Sequence, residues 1–156
     1  MIFKKAQSKD IPLLIHSRLN LLRSANSLSP DTDLSKVAQQ LETYYRNSFE
    51  QDCHVAFLAF DNSVFIGTGG ICYYRVLPTY HNPTGWKSYI INMYTEEPYR
   101  GKGVATRILD LLVADSLNRG IRFITLEATK MGRPIYEKYG FVDLPAEMQL
   151  KNETFG

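Results

Sequence analysis

Apolar residues along this chain recur at two spacings, and each switch between them marks an element boundary. Residues 2–5 carry a short strand pattern. Ser8 then stands as an N-cap, Pro12 fits a first helical turn, and Ile11, Leu14, Ile15, Leu19 and Leu22 share one helical face. A turn-forming cluster at 27–33 leads into a second helix, where Leu34, Val37, Ala38, Leu41 and Tyr45 recur at helical spacing. The period then changes. Residues 54–60 are nearly all apolar, Asp61-Asn62 reads as a hairpin turn, and 64–74 form a longer strand, so an antiparallel pair is predicted. Gly67, Gly69 and Gly70 in its second strand signal either a bulge with close backbone approach or a strongly twisted sheet.

Residues 77–85 form a loop by composition, and 87–95 form the next strand. Asn92 is polar within that apolar run and needs a partner; it either holds substrate or water, or satisfies a bulge. From 103 to 119 the pattern is helical, with Val104, Ile108, Leu111, Leu112 and Asp115 along one side and Gly120 at the C-terminal end. A buried strand at 123–128, a short helix at 132–139 closed by Gly140, and a last strand candidate at 147–151 or beyond complete the series. The order is strand, two helices, three strands, helix, strand, short helix, strand. This predicts an α/β (α+β mixed) fold, a mixed sheet covered by helices.

Composition narrows the picture. With 156 residues, 44% of them hydrophobic, the chain supports one core, so a single domain over 1–156 is expected. Lys and Arg number 18 against 16 Asp and Glu; a net charge of +2 gives no reason to expect nucleic acid as a partner, and any anion site is local. The charged N-terminus and the lack of a long uncharged apolar run argue against a signal peptide and a membrane span, so a cytoplasmic location is expected. Cys53 and Cys72 have no CxxC spacing, and His16, His54 and His81 are scattered, so neither a disulfide framework nor a metal site is predicted.

The segment with the clearest chemistry is Tyr99-Arg100-Gly101-Lys102-Gly103-Val104-Ala105-Thr106, a glycine-rich turn opening into a helix. A helix N-terminus offers unpaired N–H groups, glycines admit close approach, and Arg100 and Lys102 add charge, which suits a diphosphate. The dinucleotide fingerprint fails, because Thr106 occupies its third glycine position and no acidic residue follows about twenty residues on. The Lys-Ser/Thr ending of a Walker loop is also missing. A plain strand-to-helix connection remains the alternative for this turn taken alone.

Thirty residues further on lies 128–141, Ala-Thr-Lys-Met-Gly-Arg-Pro-Ile-Tyr-Glu-Lys-Tyr-Gly-Phe. With both segments in view the chain resembles the Gcn5-related N-acetyltransferases (GNAT). That family pairs an Arg/Gln-x-x-Gly-x-Gly/Ala turn, matched by Arg100, Gly103 and Ala105, with a downstream short helix whose tyrosine, here Tyr136, precedes Gly-Phe. The resemblance is strongest from about residue 89 to 141. It implies a twisted, mostly antiparallel mixed sheet of about six to seven strands flanked by about four helices. It also implies acetyl-CoA as co-substrate, held by Met93, Tyr94, Thr95, Arg100, Gly101, Lys102, Gly103, Val104, Ala105, Thr106 and Thr129, although many members carry asparagine where Thr129 stands.

By the same resemblance, an amine attacks the thioester directly, backbone N–H groups around Met93 to Thr95 meet the oxyanion, and Tyr136 is the acid for the departing thiolate. An amine with a lysine-like pKa of about 10.4 is mostly protonated at neutral pH, so a base or water relay is required. Glu96, Glu97 and Glu127 are the carboxylate candidates, with solvated surface as the other reading of each. Arg18, Arg23, Tyr73, Tyr74 and Tyr80 are candidates for contacting a small-molecule or peptide amine, set against ordinary exposed charge and strand aromatics. A non-catalytic acyl-CoA-binding module uses the same turn and is the competing function. Homodimers are frequent in the family, and the sequence neither requires nor excludes one.

Overall fold

The computed structural model describes residues 1–151. Strand β1 (Ile2–Lys5) is followed by a 3₁₀ turn (Ser8–Asp10), helix α1 (Ile11–Ala25) and helix α2 (Ser35–Glu50). Strands β2 (His54–Asp61), β3 (Val64–Arg75) and β4 (Trp86–Thr95) come next, then a 3₁₀ turn (Glu97–Tyr99), α3 (Val104–Asn118), β5 (Ile124–Leu126) and α4 (Arg133–Tyr139). The strands form one sheet in the order β1-β2-β3-β4-β5, antiparallel throughout except for the parallel β4–β5 pair.

Alternation along β2 builds two cores on opposite faces. Val55 and Ala59 pack with Ile66, Ile71, Ile90, Ile108, Leu109 and Leu112 beneath α3. Ala56 and Leu58 pack with Ile11, Leu14 and Tyr45 beneath α1 and α2. On that second face His54 is buried, with the rings of Tyr44 and Tyr45 each 5.4 Å away and Phe49 at 6.1 Å. Burial pushes its pKa down to about 4, and Nδ1 shares a 2.8 Å hydrogen bond with the Tyr44 hydroxyl.

Several expectations need correction. Ser8 does not cap α1: it lies inside the 3₁₀ turn, where the Asp10 carboxylate accepts a 2.9 Å bond from the Gln7 N–H. The hairpin turn is Asn62-Ser63 rather than Asp61-Asn62, since Asp61 pairs with Val64. Both turn residues have positive φ (46° and 67°), the geometry that follows the twist of the flanking strands. The sheet has five strands among the described residues rather than six to seven. Residues 147–151 form no strand, because nothing pairs with them there, and any continuation beyond 151 lies outside the described residues. Strand β5 spans three residues rather than the six of 123–128.

Candidate active site

Two irregularities converge on the second half of β4. On its β3 edge the register slips between Thr68↔Tyr94 and Gly70↔Ile91, so β4 carries one extra residue opposite Gly69. Asn92, in that extra stretch, has a left-handed φ of 61°. The predicted bulge on β3 is present at Ile66, where the register against β2 slips from Ala59↔Gly67 to Phe60↔Phe65, and the β3 glycines accommodate a second bulge on β4. A Cβ on Gly69 would lie 2.4 Å from the Met93 sulfur and 2.7 Å from Ile108 Cγ2; one on Gly67 would lie 2.8 Å from the Tyr94 carbonyl oxygen. On the other edge, pairing with β5 runs from Ser88↔Ile124 to Ile90↔Leu126 and stops. Met93, Tyr94 and Thr95 thus lie where β4 has parted from β5, with no ladder partner on that side.

The glycine-rich turn follows directly. Arg100 Nε donates to the Thr95 carbonyl at 3.2 Å, tying the turn to the strand end, and the Lys102 ammonium lies 5.1 Å from the Tyr99 ring centre. Gly101 (φ 74°) and Gly103 (φ 82°) adopt left-handed conformations, with nothing within 4 Å of where a Cβ would stand. Glycine is needed there for backbone freedom rather than for room. Gly103 is the N-cap of α3, no side chain caps the helix, and the first bond into the cap carbonyl comes from the Arg107 N–H. The first-turn amides of Val104, Ala105 and Thr106 therefore face outward with Arg100 and Lys102 beside them. Donors of this kind fit a diphosphate.

Helix α4 carries Tyr136. Its ring packs against the α3-side core, edge-on to Phe141 at 6.1 Å, and burial pushes its hydroxyl pKa up, so the phenol keeps its proton at neutral pH. The short helix is held at its start by Thr129, whose hydroxyl accepts from the Gly132 N–H at 3.1 Å and whose carbonyl accepts from the Arg133 N–H at 2.9 Å. Thr129 thus shapes the turn before α4.

The carboxylate candidates separate by position. Glu96 is half-buried beside Tyr94, whose hydroxyl pKa is raised first by burial and then by that neighbouring carboxylate. Glu97 is exposed in the 3₁₀ turn and Glu127 is exposed past the end of β5. Helix α1 brings Asn20 beside Tyr94, and Arg18 near Tyr45 and Tyr89. Asn20 and Tyr89 were not legible as site residues; the only sequence signal was their place on α1 and β4. Tyr74, Tyr89 and Glu127 line a groove of about 700 Å³ along β5.

Two acceptor candidates are corrected. Tyr73 is buried on the α3 face, its hydroxyl donating to the Asp115 carboxylate. Arg23 is engaged with the Ser29 and Thr32 carbonyls at 3.2 and 3.0 Å, where it folds the α1–α2 connection. Tyr80 is 91% exposed, in the 77–85 loop.

Known proteins share this fold. The model of the acetyltransferase (GNAT) family matches residues 20–141. A predicted acetyltransferase from Clostridium acetobutylicum, solved with acetyl-CoA, is 39% identical; the match covers 96% of this chain and 95% of that one, with a TM-score of 0.88. A GCN5-related N-acetyltransferase from Ralstonia eutropha JMP134, 20% identical with a TM-score of 0.84 over 97% of both chains, shares the fold. N-alpha-acetyltransferase 30 of Schizosaccharomyces pombe is 33% identical over 100 residues, 62% of this chain and 63% of that protein, so the match spans less than two thirds of that relative's length. The chain belongs to the acetyltransferase (GNAT) family.

Proposed function

We propose that this chain, acting as one domain, transfers acetyl from acetyl-CoA to a primary amine by direct attack. The observation that carries the reading is the meeting of three features. They are an uncapped α3 N-terminus flanked by Arg100 and Lys102, the β4 edge at Met93–Thr95 left unpaired by β5, and a Tyr136 on α4 that keeps its proton. The first holds the diphosphate of the co-substrate through the N–H groups of Val104, Ala105 and Thr106, with Arg100, Gly101, Lys102 and Gly103 shaping the turn. The second supplies N–H groups for a developing oxyanion. The third returns a proton to the thiolate as it leaves. Glu96, half-buried beside Tyr94, is the carboxylate best placed to take the proton of the amine, directly or through water.

The test is thiol release from acetyl-CoA over a panel of amines, run beside Tyr136→Phe. Acceptor-dependent turnover is expected, and the variant should lose on the order of 10²-fold or more in kcat while CoA affinity holds. A chain that binds CoA in calorimetry yet releases no thiol with any amine of the panel would be the acyl-CoA-binding module instead.

A further inference from the structure

Left-handed backbone positions are met by glycine without steric cost; apart from the exposed turn residues Ser27, Asp52, Asn62 and Ser63, this chain uses glycine, at 85, 101, 103 and 120 among others. At position 92 it does not. Asn92 is 6% exposed, and its Oδ1 finds no hydrogen-bond donor among the described residues. A buried, unpaired carboxamide oxygen costs stability that glycine at the same φ would not incur, so tolerance of positive φ explains only half of the choice. The other half is where the residue sits. It lies in the β4 bulge opposite Gly69, two residues past the last β4–β5 pair at Ile90↔Leu126 and immediately before Met93–Thr95. The residue that carries the orphaned acceptor is therefore at the head of the opening between β4 and β5.

We propose that the Asn92 carboxamide is a contact for the acetyl acceptor, its oxygen receiving an N–H of the incoming amine and holding the nitrogen at the mouth of the β4–β5 opening. The inference rests on acetyl transfer occurring at that opening. The chemistry fits the position. A primary amine that gives one N–H to a carboxamide keeps its lone pair free for attack. An amide oxygen also stays neutral and non-basic across the working pH range, so it orients the nucleophile without competing for its proton. A carboxylate at the same depth would bring a desolvated charge beside a developing oxyanion.

Asn92→Gly is the direct test, because glycine keeps the left-handed backbone and deletes only the carboxamide. The expected result is a loss of about ten-fold in kcat/KM for the amine, with CoA affinity by calorimetry held and the unfolding midpoint not lowered. Wild-type kinetics in Asn92→Gly would overturn the proposal and leave Asn92 as a bulge residue only, with acetyl transfer itself untouched. Should that variant fail to fold, Asn92→Asp carries the test. It retains a side-chain oxygen and the tolerance for positive φ, so contact with the amine gives its kcat/KM profile an ionisation limb that the wild type lacks, and a profile of wild-type shape overturns the proposal. A wild type that acetylates no amine would overturn both this contact and the transferase reading, and is recognised before any variant is made.

Discussion

At the scale of single residues, the glycines of this chain separate two requirements that a sequence shows as one. Gly69 is needed for space, since a Cβ would strike Met93 and Ile108; Gly103 and Gly120 are needed only for backbone conformation, at φ 82° and 76° with open surroundings. The last two bracket the same helix, which makes a controlled experiment. Gly103→Ala and Gly120→Ala should each lower stability by about 1–2 kcal/mol in urea unfolding, the cost of a left-handed alanine. Only Gly103→Ala should also weaken CoA in calorimetry; equal affinity in the two variants would remove the diphosphate from this turn. His54 yields a second residue-scale prediction. Its folded pKa of about 4 lies below the ordinary 6.5, so the unfolded chain takes up the proton first as pH falls. The stability linked to it is fully present above pH 6.5 and drains between 6.5 and about 4, by on the order of 3 kcal/mol. The difference in unfolding free energy between the wild type and His54→Gln, followed over that window, should change by this amount; a constant difference would mean the imidazole charges freely in the fold.

At the scale of elements, the far end of α3 is fastened by a clasp of its own. Arg119 donates to Asp115 and, through both terminal nitrogens, to the Asp52 carbonyl and carboxylate, each at 2.9 Å, and its guanidinium lies 4.2 Å from the Tyr73 ring centre. The Tyr73 hydroxyl closes the group by donating to Asp115. Fifteen residues of helix set this clasp about 20 Å from the glycine-rich turn. Arg119→Ala should therefore cost about 2 kcal/mol, discounted for the partial exposure of the side chain, without altering acceptor or CoA kinetics; altered kinetics with an intact fold would place the clasp in the site. The same cluster gives Tyr73 the plainer of its two readings, a strand aromatic packed in the core. Elements with a strong private period, α3 above all, were legible to within a residue. Elements whose existence depends on a partner were not: 147–151 has strand-like residues but nothing to pair with, and β5 stops at Leu126 although its sequence runs on.

At the scale of the whole molecule, the candidate site belongs to no single element, which is why its parts were readable and their meeting was not. The turn at 99–106 and the tyrosine of α4 each carry a local signature, whereas the opening between β4 and β5 exists because β5 is short and β4 is bulged. α4 is the weakest part of this arrangement: it has seven residues, none of them buried, and holds to the core chiefly through the partly buried rings of Tyr136, Tyr139 and Phe141. Short helices with little burial open locally at low free energy. A co-substrate that spans the opening links α4 to the first turn of α3 and to the end of β4, so its binding should slow amide exchange in all three while leaving α2 on the remote part of the sheet little changed. CoA at about a hundred times its Kd should stabilise the folded state by about 2.7 kcal/mol, and the local slowing in α4 should be visible well before that global limit. Slowing confined to residues 103–107 would mean that the diphosphate binds while the acyl arm never reaches Tyr136, and the assignment of that tyrosine as the acid would fall even though the turn kept its ligand.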